Sequence, residues 1–130
     1  MEDILVVDDE RDLAELTIYL LQSEGYGTRY APHGEIAVQL LTESPAQLVL
    51  TDFMMPVMNG CELLEAMLRR EDLAGTPVIM MSSLSEDVAR AKCKLLKAFL
   101  RKPFTADQLL RLVRSTLGKR TPRSGSGPSG

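Results

Sequence analysis

The chain has 130 residues, which is enough for one domain with a substantial core and too short for two. Hydrophobic residues make up 45% and charged residues 25%, and the net charge of -3 gives no indication of nucleic-acid or membrane binding. No apolar run approaches membrane-spanning length and no secretory signal pattern opens the chain, so we expect a cytoplasmic protein. Cys61 and Cys93 have neither metal-type spacing nor a disulfide framework, and we interpret them as reduced structural thiols.

Five short apolar segments alternate with five segments of helical spacing. The segments predicted as strands cover residues 4–7, 26–31, 48–52, 78–82 and 98–102. The predicted helices have apolar residues at helical spacing within 13–21, 36–41, 63–68, 88–96 and 109–117. Gly25 is a stop signal for the first helix, and Thr105 with Gln108 forms a capping box that opens the last. We expect one domain over residues 1–118, followed at 119–130 by a flexible tail, a linker or an expression remnant.

Alternation of strands and helices predicts an α/β fold with a single doubly wound parallel sheet covered on both faces. The three most apolar strands should be central and the two mixed ones, near Thr28 and Phe99, should be at the edges. This gives the flavodoxin-like strand order 2-1-3-4-5 with five helices. The carboxyl ends of four strands then meet at one rim, and they bring together Asp8, Asp9, Asp52, Ser82 and Lys102.

These residues form a set suited to phosphoryl chemistry. Three carboxylates that meet at one place repel one another unless a cation or proton is present, and their hard oxygen atoms suit Mg²⁺. An aspartate such as Asp52, beside Mg²⁺, can act as a nucleophile toward a phosphoryl group. Lys102 and Ser82 supply an ammonium and a hydroxyl that can hold the phosphoryl oxygens.

With these residues in place, the chain resembles the receiver domain of a bacterial two-component response regulator, of the kind found in chemotaxis regulators. The resemblance covers residues 3 to about 118, and it depends on four motifs: Val7-Asp8-Asp9, the segment from Thr51 to Gly60, Val78 to Ser83, and Lys102-Pro103-Phe104. It implies that Asp52 accepts a phosphoryl group from a histidine kinase or a histidine phosphotransfer protein. It also implies that Asp9 and Asp52 ligate Mg²⁺ together with the backbone carbonyl of Met54, while Asp8 acts mainly through water.

The resemblance further implies a switch. Ser82 and Lys102 would hold the phosphoryl oxygens, and Phe99, three residues before Lys102, matches the aromatic residue that turns inward when Ser82 moves. The face formed by the fourth helix, the fifth strand and the fifth helix would then present a different surface to an output partner or effector domain, whose identity the sequence leaves open. We expect no binding of nucleic acid or membrane by this domain, and no enzymatic activity beyond self-phosphorylation and autodephosphorylation.

Two other functions use related features. A Mg²⁺-dependent phosphohydrolase of the haloacid-dehalogenase type also has an aspartate nucleophile, but it has a second aspartate two residues later, where this chain has Met54. A flavin carrier on the same fold would need a hydroxyl- and glycine-rich phosphate loop after the first strand, where this chain has Asp8-Asp9-Glu10-Arg11. The phosphoacceptor signalling module is therefore the favoured interpretation.

Overall fold

The computed structural model describes residues 3–118, which form a five-stranded parallel sheet with five helices. The strands are β1 (Asp3–Val7), β2 (Gly27–Ala31), β3 (Leu48–Asp52), β4 (Val78–Ser82) and β5 (Ala98–Arg101). The helices are α1 (Arg11–Ser23), α2 (Gly34–Glu43), α3 (Gly60–Leu68), α4 (Glu86–Lys92) and α5 (Ala106–Gly118). The strand order is β2-β1-β3-β4-β5, which confirms the predicted topology.

Burial explains why the apolar strands are central. Every residue of β3 and β4 is buried, and so are the last four of β1. The edge strands are less buried: four of the five residues of β2 and two of the four of β5 are partly buried, and Arg101 of β5 is exposed. Because side chains alternate along a strand, each central strand contributes to both faces of the sheet. Leu5 and Val7 lie in the core on one face, and Ile4 and Val6 lie in the core on the other.

The helices are divided between these two cores. The core of the first face includes buried residues of α2, α3 and α4, such as Leu41 and Leu63. The core of the second face includes buried residues of α1 and α5, such as Leu21 and Leu109. Both faces of the sheet are therefore covered, as a doubly wound fold requires.

The fourth helix is shorter than the sequence predicted. It ends at Lys92, so Leu95 and Leu96, which we assigned to it from their spacing, lie beyond it. Cys93 has extended backbone angles that end the helix, and the guanidinium group of Arg90 donates hydrogen bonds to the carbonyls of Leu96 and Lys97. These bonds stabilise a tight turn in place of a further helical turn. Leu96 is still buried in the core while Leu95 is exposed.

The interpretation of the two cysteines as reduced thiols was wrong. Cys61 and Cys93 form a disulfide across a sequence separation of 32, with 5.8 Å between their Cα atoms. The parallel crossovers bring the first turn of α3 beside the end of α4, and this proximity cannot be read from sequence spacing.

The start of the last helix agrees with the prediction, whereas the predicted tail cannot be compared with the structure. At the start of α5, Thr105, which directly precedes the helix, and Gln108 make the reciprocal hydrogen bonds of the predicted capping box, at 3.0 and 2.9 Å. Within residues 3–118, no helix is both long enough and apolar enough to cross a membrane. The predicted tail at 119–130 lies outside the described residues.

Candidate functional site

The sheet register brings the predicted site residues to one rim. Val7 of β1 pairs with Thr51 of β3, so Asp8 and Asp52 follow at adjacent strand ends. Asp52 in turn pairs with Met81 of β4, and the next residue, Ser82, pairs with Arg101 of β5. A parallel sheet thus sets the acids, the hydroxyl and the following Lys102 side by side at its carboxyl edge.

Three carboxylates form the centre of the site. One oxygen atom from each of Asp8, Asp9 and Asp52 lies within 4.8 Å of the other two. Asp8 is fully buried and Asp52 is 7% exposed, whereas Asp9 is exposed to solvent. This arrangement concentrates negative charge where water provides little screening.

Lys102 is the cation that faces this cluster. Its Nζ lies 3.0 Å from Oδ1 of Asp52 and 3.7 Å from Oδ2 of Asp8. Its backbone N–H donates a 2.8 Å hydrogen bond to the carbonyl of Ser82, which fixes the residue just beyond β5. The backbone hydrogen bond to Ser82 and the ion pairs of Nζ therefore hold the ammonium group of Lys102 beside the two buried acids.

Burial dominates the electrostatics of the two inner acids. It raises the pKa of Asp52 to about 6, and the negative charges of Asp8 and Asp9 add to this effect, while the hydrogen bond and charge of Lys102 oppose it. Burial likewise raises the pKa of Asp8, against the hydrogen bond from the Glu10 backbone and the charge of Lys102. The protein alone thus compensates only part of the cost of ionising these acids.

The two carboxylate oxygens of Asp8 differ in their hydrogen bonds, and one of them is available to a ligand. Its Oδ1 accepts a 2.9 Å hydrogen bond from the N–H of Glu10, whereas its buried Oδ2 has no hydrogen-bond partner among the described residues. The Tyr30 hydroxyl donates to the backbone carbonyl of Asp8 at 2.8 Å and so fixes the strand end from β2. Sequence reasoning missed Tyr30, and no motif around it indicates this contact.

The remaining predicted residues occupy different positions around the rim. Ser82 is 2% exposed, and its Oγ accepts a hydrogen bond from the N–H of Leu84 at 3.0 Å. Met54, two residues after Asp52, has a 63% exposed side chain. Phe99 is not at the rim. It lies within β5, where it pairs with Met80 of β4, and it lines a groove of about 810 Å³ between α4 and α5.

The loop from β3 to α3 approaches the site closely through Gly60, whose structural role sequence reasoning missed. The Gly60 N–H donates to the carbonyl of Phe53 at 2.8 Å, and a Cβ at Gly60 would lie 2.6 Å from the carbonyl oxygen of Asp52. The sequence signal for the role of Gly60 was Asn59, a good N-cap residue directly before this glycine.

Earlier in the same loop, Val57 has a φ of 69°. The Met58 N–H closes a tight turn around Val57 by donating a 2.7 Å hydrogen bond to the carbonyl of Pro56.

The sequence of this chain matches a known protein family. The family model of the response regulator receiver domain matches residues 4–114. The transcriptional regulatory protein CpxR of Escherichia coli strain K12 is 38% identical over 119 residues, covering 90% of this chain and 50% of that protein. The chain therefore spans about half the length of the curated relatives it matches.

Solved structures show the same fold. The receiver domain of a signal transduction histidine kinase from Syntrophus aciditrophicus is 32% identical with a TM-score of 0.85, covering 94% of this chain and 96% of that one. The receiver domain of sensor histidine kinase PA1611 from Pseudomonas aeruginosa PAO1, which has a magnesium ion in its active-site cleft, is 23% identical with a TM-score of 0.84. That alignment covers 91% of this chain and 98% of the other, and it supports the fold alone.

Family membership favours the signalling interpretation over the phosphohydrolase interpretation, in keeping with Met54 at the position where that class has its second aspartate. The chain belongs to the response regulator receiver domain family of two-component signalling systems.

Proposed function

We propose that Asp52 is the phosphoacceptor of this receiver domain and that it takes a phosphoryl group from a histidine kinase or a histidine phosphotransfer protein. The observation that carries the proposal is the cluster of Asp8, Asp9 and Asp52 with Lys102 across it at 3.0 Å. Burying the inner acids costs folding free energy, because the protein compensates their negative charge only in part. A purely structural role does not explain that cost, whereas a functional role does.

The donor set fits Mg²⁺. All three carboxylates offer hard oxygen atoms, and the buried Oδ2 of Asp8 has no hydrogen-bond partner within the described part of the chain. Asp9 and Asp52 would hold the ion directly with the backbone carbonyl of Met54, and Asp8 would hold it mainly through water. Bound Mg²⁺ would neutralise negative charge on the carboxylates and on the incoming phosphoryl group.

Phosphoryl transfer then uses groups of this chain. An ionised oxygen of Asp52 attacks phosphorus, the bond from phosphorus to the donor's imidazole nitrogen breaks, and that nitrogen keeps the electron pair. Asp52 is buried at the end of a rigid central strand, which orients its carboxylate toward the rim. Lys102 stabilises the ionised carboxylate before transfer and the phosphoryl oxygens after it.

The response follows from a change in hydrogen bonding. The new phosphoryl oxygens draw the Ser82 hydroxyl away from the Leu84 N–H, which shifts the loop between β4 and α4. Phe99 then turns from the groove between α4 and α5 toward the space that opens near Ser82. The surface of α4, β5 and α5 changes, and an output partner or effector domain would read that change.

The wider role is that of a cytoplasmic signalling module. We infer that residues 1–118 are the receiver unit and that its own chemistry is limited to self-phosphorylation and autodephosphorylation. We also infer that this domain binds neither nucleic acid nor membrane, since the net charge of -3 provides no general attraction for either.

The proposal is tested by incubation with acetyl phosphate and Mg²⁺ followed by intact-mass measurement. We expect the wild-type protein to gain one phosphoryl group, Asp52→Asn to gain none and Asp9→Asn to react much more slowly. The matched control is Asp87→Asn, which changes an exposed aspartate in the first turn of α4 and should react like wild type. Equal labelling of Asp52→Asn and wild type would exclude Asp52 as the acceptor.

A further inference from the structure

We propose that the Cys61–Cys93 disulfide is a reversible redox modification that controls the mobility of α4, and hence the response of the receiver to phosphorylation. The link to phosphorylation rests on the function proposed for Asp52, whereas the effect on α4 does not. The oxidised form would restrain the end of α4, and the dithiol form would release it.

On the α3 side, the disulfide is attached to a segment fixed against the phosphoacceptor strand. Cys61 is the second residue of α3 and follows Gly60, which packs against the backbone of Asp52. The preceding Asn59 forms a full capping box with Glu62, with hydrogen bonds of 2.8 and 2.9 Å. Cys61 is therefore held in a fixed position, and the disulfide ties Cys93 to that position.

On the α4 side, the disulfide holds an element with few other attachments. The helix has seven residues, a length that is unstable alone, and only Ala89 among them is buried. Cys93 follows it directly, is 1% exposed and donates its N–H to Ala89 at 2.9 Å. Besides the covalent bond, this end of the helix is held by the Arg90 hydrogen bonds to Leu96 and Lys97 and by the burial of Cys93 and Leu96 in the core.

The closed ring contains the segment that the proposed switch must move. The bond joins residues 32 positions apart, and β4, Ser82, the following loop and α4 all lie between them. A displacement of Ser82 toward the phosphoryl group has to be passed to α4 inside this ring. Oxidation therefore opposes the same motion that phosphorylation promotes.

A disulfide in a cytoplasmic protein is usually transient and redox-sensing, because cellular thiols keep most cysteines reduced. Cys61 is partly exposed while Cys93 is buried, so a dithiol reductant would reach Sγ of Cys61 first. Its thiolate bonds to that sulfur, the S–S bond breaks, and Cys93 leaves with the electron pair and takes up a proton. The second thiol of the reductant then displaces Cys61, so the protein gains two electrons and two protons and the reductant becomes a disulfide.

The reduced form should remain folded. Both cysteines adjoin the apolar core of the α2–α4 face, where a thiol behaves as a small hydrophobic group. The two redox states are thus expected to differ in the restraint of α4 and not in the overall fold.

The test is backbone hydrogen exchange of residues 86–97, measured on the full chain after oxidation with hydrogen peroxide or reduction with dithiothreitol. Thiol labelling reports the state of the cysteines. We expect exchange in this segment to be at least ~10-fold faster after reduction, since disulfides commonly stabilise by more than this factor. Cys61→Ala and, independently, Cys93→Ala should exchange like the reduced wild-type protein under both conditions.

The same samples link the disulfide to signalling. Addition of beryllofluoride and Mg²⁺ should change the exchange of residues 86–97 strongly in the reduced protein and weakly in the oxidised protein. The comparison without beryllofluoride does not depend on Asp52, and phosphoryl uptake by the reduced protein is measured separately by mass. Failure of the two thiols to pair on oxidation, or equal exchange in the paired and unpaired states, would overturn the proposal.

Discussion

The buried carboxylate of Asp52 makes the stability of this domain depend on pH in a predictable way. Asp52→Asn keeps nearly the same side-chain shape but removes the negative charge that lies close to those of Asp8 and Asp9. In the folded protein the pKa of Asp52 is raised to about 6 from the ordinary value of 3.8, chiefly by burial. A rise of about two pKa units at ~1.4 kcal/mol each corresponds to a penalty of about 3 kcal/mol for keeping this group ionised in the folded state.

The sign of the effect follows from proton binding. Between pH 3.8 and about 6 the folded protein holds more protons on Asp52 than the unfolded chain does. The wild-type protein therefore loses stability relative to the variant as pH rises through this window, and the full penalty applies above it. We expect Asp52→Asn to be more stable than wild type by about 3 kcal/mol at pH 7.5 and nearly equal to it at pH 4.

Urea unfolding followed by circular dichroism at several pH values, in EDTA and with the disulfide intact, measures this difference. The control Asp87→Asn alters an exposed aspartate and should stay within ~0.5 kcal/mol of wild type at neutral pH. If Asp52→Asn is no more stable than wild type at pH 7.5, or if its advantage does not shrink on acidification, the electrostatic description of the site is wrong.

Three further predictions, one with a matched control, concern the loop from β3 to α3 and the start of α5, and the same unfolding assay tests them. Val57→Gly should stabilise the domain by about 1 kcal/mol, because the exposed valine holds a positive φ of 69° that glycine adopts without a steric penalty, and a loss of stability would refute this. Gly60→Ala should cost ~2 kcal/mol or more because its Cβ would meet the Asp52 backbone, whereas Gly75→Ala, which meets nothing within 4 Å, should change little. Thr105→Ala should cost about 1 kcal/mol by removing one half of the α5 capping box, and an unchanged midpoint would show that this cap is dispensable.

The topology and most of the rim were predictable because they depend on local patterns. Short, fully apolar runs identify strands buried on both faces, and their burial in β3 and β4 confirms this. Once the strand order is known, residues that directly follow strands must meet at one edge, as Asp8 and Asp52 do.

The features that were missed depend on specific contacts that the periodicity of the sequence does not encode. The early end of α4 is set by the Arg90 side chain and the Cys93 backbone, which compete with a helical pattern that continues to Leu96. The disulfide depends on the approach of two helix ends 32 residues apart. The Tyr30 hydroxyl contacts only a backbone carbonyl of the site, so no side-chain motif marks it.

The central claim, that Asp52 becomes an acyl phosphate, is tested most directly by identifying the modified residue. Protein treated with acetyl phosphate and Mg²⁺ is reduced with sodium borohydride, which converts an aspartyl phosphate to homoserine, and the peptides are then sequenced by mass spectrometry. We predict homoserine at position 52 and at no other aspartate of the cluster, dependent on Mg²⁺. Homoserine at position 8 or 9, or its absence from the whole chain, would contradict the account.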